Sequence, residues 1–182
     1  MLAYLKYILQ LLLSPGRGWD DIAEAHPAPD ELLRRGLYPL LAIAALTEFL
    51  TLAWSHDHGF VSVLIRAIVD FGAYFISIFV ARLLFEMYFP AMCRREPDRE
   101  RVSVFIIFAL GLMVIFRIID NVLPWNTVYL SFLPLYAVLV IYKSEAYLDV
   151  ESHSQMRFLL LGAGATVAVP LAIYYLLLLI LP

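Results

Sequence analysis

The chain has 182 residues, 63% hydrophobic and 16% charged, with a net charge of -3 and a mean hydropathy of +0.82. An ordinary soluble domain carries about 45–50% apolar and about 25% charged residues, so these values exclude a water-bathed domain and point to an all-α polytopic membrane protein. The negative balance, with no basic block against it, excludes a nucleic-acid binder. The single Cys93 excludes an internal disulfide and a thiol metal motif.

Residues 1–36 read as a cytoplasmic membrane-surface segment and 37–182 as the transmembrane domain. In "LAYLKYILQLLL" (2–13), Leu2, Leu5, Leu9 and Leu12 share one helical face and Lys6 and Gln10 another. The run is too short to span, so it reads as an amphipathic helix lying in the interface. Ser14 is an N-cap and Pro15 a first-turn residue for a second short helix. There Asp20, Asp21 and Glu24 are expected to face water, with Trp19, Ile22 and Ala23 turned to the lipid headgroups. "HPAPD" (26–30) ends that helix, and Asp30 caps a last short one leading into Arg34 and Arg35. Ala23-Glu24-Ala25 fits a small-x-small cleavage site, but Pro15, Arg17, Asp20 and Asp21 separate it from the apolar run, which is not the order of a signal peptide. The segment serves either as a membrane anchor or as a docking surface for a protein partner.

Five apolar runs follow: 37–54, a stretch within 64–89, 102–119, 122–142 and 158–182. They are continuous rather than alternating, so they read as five transmembrane helices and not as barrel strands. With the N-terminus inside, Lys6, Arg17, Arg34, Arg35, Arg94, Arg95, Arg99, Arg101, Lys143 and Arg157 fall on the inner side, against Arg66 and Arg117 at outer span ends. That bias sets an inner-membrane protein with a cytoplasmic N-terminus and an outward C-terminus. Tyr38, Trp54, Tyr88, Trp125 and Tyr142 fall where spans cross the interfaces.

Little in the chain suggests catalysis. His56 and His58 flank Asp57, but a metal site needs three or four ligands, and Asp70 is the nearest other acid in sequence. These histidines read as solvated, and no metal or cofactor is assigned. His153 beside Ser152 and Ser154 is not a triad. No zinc-protease, phosphate-loop, dinucleotide or nucleophile-elbow motif occurs, so no enzyme is expected. The charges inside apolar sequence are more informative: Glu48, Asp70, Arg82, Glu86, Arg117 and Asp120. A charge at mid-span costs about 2.5–3.5 kcal/mol on insertion scales, so such residues face the bundle interior and pair. They form either an ion path or structural ion pairs. Arg66–Asp70 and Arg82–Glu86 lie four apart and Arg117–Asp120 three apart, on shared faces. Glu48 is left without a local partner. Counting about 1.5 Å per residue from the cytoplasmic span ends gives an outer cluster of Asp70, Arg117 and Asp120, an inner one of Arg82 and Glu86, and Glu48 about 16 Å deep between them, within an arginine's reach of either. Pro134 and Pro170, in consecutive spans, can free backbone carbonyls at depth. The small residues Ala73, Ser77 and Ala81, and Gly164 with Ala168, mark close helix contacts within one chain or between copies of a homo-oligomer.

The leader "LSPGRGWDDIAE", with Pro15, Trp19 and Ile22, is followed by "LYPL" opening the first span, "FLPLYAVLVIYKSEAYLDV" in and after the fourth, and "VAVP" in the fifth. In that order and spacing the chain resembles the bacterial branch of the Yip (Ypt-interacting protein) family. The resemblance implies five spans with a cytoplasmic N-terminus. Eukaryotic members are linked to Rab-type GTPases and vesicle traffic and carry an Asp-Leu-Tyr-Gly-Pro type motif, a string this chain lacks. The expectation is a non-enzymatic membrane organiser or adaptor. The alternative is a small-solute, ion or proton transporter or channel component using Glu48 and the proline-broken helices, and an intramembrane enzyme comes third.

Overall fold

Among the described residues of the computed structural model, seven helical stretches follow one another: α1 (Leu2–Leu13), α2 (Pro15–Ala25), α3 (Pro29–Ala53), α4 (Phe60–Met92), α5 (Arg99–Val122), α6 (Leu133–Lys143) and α7 (Ser152–Ile180). The structure describes residues 1–54, 59–123 and 132–181. His56, His58 and Trp125, singled out above, lie outside them. Among the described residues the one β pairing is an isolated antiparallel bridge between Cys93 and Val150.

Among the described residues four helices, α3, α4, α5 and α7, are long and apolar enough to cross a membrane. The described part of the fourth apolar run is α6, whose 11 residues fall short of the about 20 a crossing requires. Pro134 stands in the first turn of α6. It has no N–H to offer and its φ is already helical, so a first turn is where a proline costs least. Pro39 and Pro170 behave differently. Each follows a wide π turn, Leu33–Leu37 and Gly164–Ala168. A proline ring clashes with the carbonyl four residues back, and widening the preceding turn makes room for it.

α5 is the axis of the bundle. Phe105, Ile106, Ile107, Phe108, Leu110 and Val114 are all buried, so this helix is covered on every side, as one apolar all round must be. α3, α4, α6 and α7 pack against it. α4 and α7 pack on each other and keep apolar outer faces, including Ile68, Phe79 and Leu83 on α4 and Leu176 and Leu179 on α7. Contiguous exposed apolar surface of that kind suits lipid.

The leader departs from the expected surface placement. α1 packs on α5, and α2 on α6. The buried stripe of α1 is Tyr4, Ile8 and Leu11, while Leu2, Leu9 and Leu13 remain exposed. Trp19 is 2% exposed and Ile22 0%: both face the protein interior, not the headgroups. The helix Pro29–Ala53 also runs without a break across residues 36 and 37. The reason is stereochemical: Tyr4, Ile8 and Leu11 recur at i, i+4 and i+7 and so form one stripe that packs into the core, with Leu5 and Leu12 partly buried beside it.

Candidate functional site: an arginine shared by three helices

Arg117 lies on α5 five residues before Val122, and Glu48 lies on α3 five residues before Ala53. At about 1.5 Å per residue both are about 7.5 Å from the same end of the bundle. Counting Glu48 from Leu37 puts it between two clusters, but α3 begins at Pro29. Glu48 has no ion-pair partner on its own helix among the described residues and is the closest partner of Arg117, so its depth is that of the outer cluster and not between the two. A tight turn over Glu48–Leu50 re-aims it, flanked by the Thr47 and Thr51 hydroxyls, which donate to the Ala44 and Glu48 carbonyls.

The guanidinium holds three acids. Arg117 Nη2 is 2.7 Å from Glu48 Oε1, Nε is 3.2 Å from Asp70 Oδ1, and Nη1 is 3.6 Å from Asp120 Oδ2. The Asp70 contact is an ion pair without hydrogen-bond alignment. Arg117 Nη2 also donates to the Tyr174 hydroxyl at 3.5 Å, and the guanidinium lies 5.3 Å from the centre of that ring. Asn121, one turn along α5, donates to Glu48 Oε1 at 3.0 Å and to the Thr47 hydroxyl at 3.2 Å. The side chains of Glu48 and Asp70 are 3% and 5% exposed and that of Asp120 is 55%. Glu48 and Asp70 are thus the desolvated partners, and Asp120 is a rim contact of little energetic weight. One arginine fork, with five donors in a fixed plane, suits several carboxylates at once in a way a lysine does not. A small cavity of about 90 Å³ adjoins it, lined by Asp70, Arg117, Pro170 and Tyr174 among others.

This arrangement fastens α3, α4, α5 and α7 to one another. Among the described residues no group of three or more His, Cys, Asp or Glu could hold a metal ion. The inner pair is not formed. Glu86 is exposed, and Arg82 Nε is buried with no hydrogen-bond partner among the described residues. The spacing of four is right, but the order is arginine before acid, the less favourable one on a helix.

The leader residues are held by specific contacts. Pro15 opens α2. Trp19 Nε1 donates to the Val140 carbonyl on α6 at 2.9 Å, and its ring stacks on Tyr147 at 5.3 Å and lies 5.7 Å from Phe105. The Tyr4 hydroxyl donates to the Ile107 carbonyl on α5 at 2.9 Å, and the Tyr4 side chain fills the space that Gly36 and Gly111 leave without a Cβ. The Tyr136 hydroxyl donates to the Leu12 carbonyl at 2.5 Å. Sequence reasoning missed Tyr4, Asn121, Tyr136 and Tyr147. For Tyr4 the signal was present in the stripe with Ile8 and Leu11. For Asn121 there was none.

No protein-family model matches this chain, and no curated protein or solved structure matches it.

Proposed function

We propose that the chain is a five-span inner-membrane protein with a cytoplasmic N-terminus that works as a non-enzymatic organiser or adaptor, in keeping with its resemblance to bacterial Yip proteins. The carrying observation is the fixed leader. Trp19 and Tyr4 bind it to backbone carbonyls of α6 and α5, so the exposed acids Asp20 and Glu24 are presented on a rigid mount. A rigid mount lowers the ordering cost a partner must meet on binding. The arginine hub supports the same reading, because a guanidinium already held by three carboxylates serves as a structural joint.

The test is crosslinking in membranes followed by copurification and mass spectrometry. A partner recovered with the intact chain and lost when Asp20 and Glu24 are both changed to Arg supports the proposal. A partner retained by that variant, or none enriched over an unrelated five-span control, counts against it. The second reading, a proton or solute path, draws on the two buried acids Glu48 and Asp70 sharing Arg117 beside a cavity. It requires flux that depends on Glu48.

A further inference from the structure

At the opposite end of the bundle, the close of α4 and the start of α5 enclose a second cavity, of about 420 Å³, within the about 300–1,000 Å³ typical of small-ligand sites. Arg82, Glu86, Glu96 and Arg99 line it, over an apolar wall of Phe85 and Phe89. Arg82 Nε faces no acceptor among the described residues and is shut off from solvent. The chain thus supplies no acceptor for that nitrogen among the described residues, and the Arg82 side chain stands in the cavity wall. The cavity sits where apolar sequence gives way to Arg94, Arg95 and Glu96, the depth of lipid headgroups in a chain that spans a bilayer. Along the outside of α4, next to Arg82 and Glu86, Leu83 and Met87 are 57% and 61% exposed and offer an acyl chain a track.

Two arginines suit a phosphate, since the guanidinium fork matches its oxygens. The two glutamates would repel a purely anionic headgroup and suit an ammonium. We propose that this cavity binds the headgroup of a zwitterionic aminophospholipid of the phosphatidylethanolamine type. Its phosphate lies on Arg82 and Arg99, its ammonium faces Glu86 and Glu96, and one acyl chain lies along Leu83 and Met87. The quaternary ammonium of phosphatidylcholine has no N–H to donate to the glutamates. Phosphatidylglycerol has no cation for them.

The test is native mass spectrometry of the full-length protein in detergent, titrated with phosphatidylethanolamine, phosphatidylcholine and phosphatidylglycerol, with soluble phosphoethanolamine as competitor. Phosphatidylethanolamine should be retained over both other lipids, and the soluble headgroup should fail to displace it. Arg82→Gln and Glu96→Gln should each weaken its retention by about tenfold, the worth of one charged hydrogen bond, and Glu96→Gln should leave the other lipids unchanged. Glu96 is exposed, so its substitution does not threaten folding. Equal retention of the three lipids, preference for phosphatidylglycerol, displacement by soluble phosphoethanolamine, or unchanged binding in Glu96→Gln would overturn the proposal.

Discussion

Replacing Arg117 by Leu strands two carboxylates whose side chains are 3% and 5% exposed, Glu48 and Asp70. Breaking a buried ion pair from one side costs about 3–5 kcal/mol, because the remaining charge keeps its desolvation penalty and loses its compensation. Against a total stability of about 5–15 kcal/mol for a typical domain, that loss is enough to remove much of the folded protein. Asn121 can still donate to Glu48, but Asp70 has Arg117 as its one ion-pair partner among the contacts described. Removing the stranded charges as well should reverse the effect. The triple variant Arg117→Leu, Glu48→Gln, Asp70→Asn carries no uncompensated buried charge at the hub, the remaining Asp120 carboxylate being 55% exposed, and the amide introduced by Glu48→Gln keeps a carbonyl to accept from Asn121. Asp120→Asn alone should cost less than about 1 kcal/mol, since its carboxylate is a rim partner. The assay is the monodisperse fraction on size-exclusion chromatography after heating in detergent, for a fluorescently tagged chain. The single variant should lose most of its folded fraction, and the triple variant should recover more than the single one. If Arg117→Leu keeps the wild-type profile, or the triple variant is no better than the single, the ion pairs carry no structural weight and the reasoning fails.

Three further outcomes follow from the same geometry. With Trp54 and Trp125 replaced, Trp19 should resist quenching by aqueous iodide and equally by brominated lipid, because protein surrounds it on all sides; lipid quenching would return the leader to the bilayer surface. Burial, reinforced by the Asp149 carboxylate, pushes the Cys93 thiol up to about 11, so little thiolate exists at pH 8 and alkylation should accelerate about tenfold per pH unit from 8 towards 10. Asp149→Asn should speed the reaction at pH 8, and a rate that levels off near pH 9 would contradict the burial argument. In a Cys93→Ser background, His58→Cys should react with an impermeant thiol reagent from outside and Ser152→Cys only after permeabilisation; the reverse pattern would invert the orientation.

The helical class and the long apolar helices were written in composition, because lipid demands uniform hydrophobicity over a fixed length. The partners of the charges were less legible. Arg117–Asp120 could be read because it lies within one helix, and Arg117–Asp70 because their depths agreed. Glu48 was misplaced because α3 starts eight residues earlier than its apolar run suggests, and polar residues such as Asp30 and Arg34 hide that start. The leader was misread for a different reason. Hydropathy separates apolar faces from polar ones, but it does not distinguish lipid from a protein neighbour as the apolar environment. Tyr4 and Trp19 are resolved only by the carbonyls of Ile107 and Val140 to which they donate, and those lie over a hundred residues away in sequence.

If Arg117 with Glu48 and Asp70 is a fastener and not a pathway, protons should not cross the membrane through it. The purified chain is reconstituted into liposomes loaded with a pH-sensitive dye, and a pH step is applied across the membrane with and without a compensating potassium gradient. A fastener gives dissipation no faster than in protein-free vesicles, and no change with Glu48→Gln. Flux above that baseline in the wild-type chain, abolished by Glu48→Gln in a variant that keeps its wild-type elution profile, would contradict the structural role and make the hub a transport site.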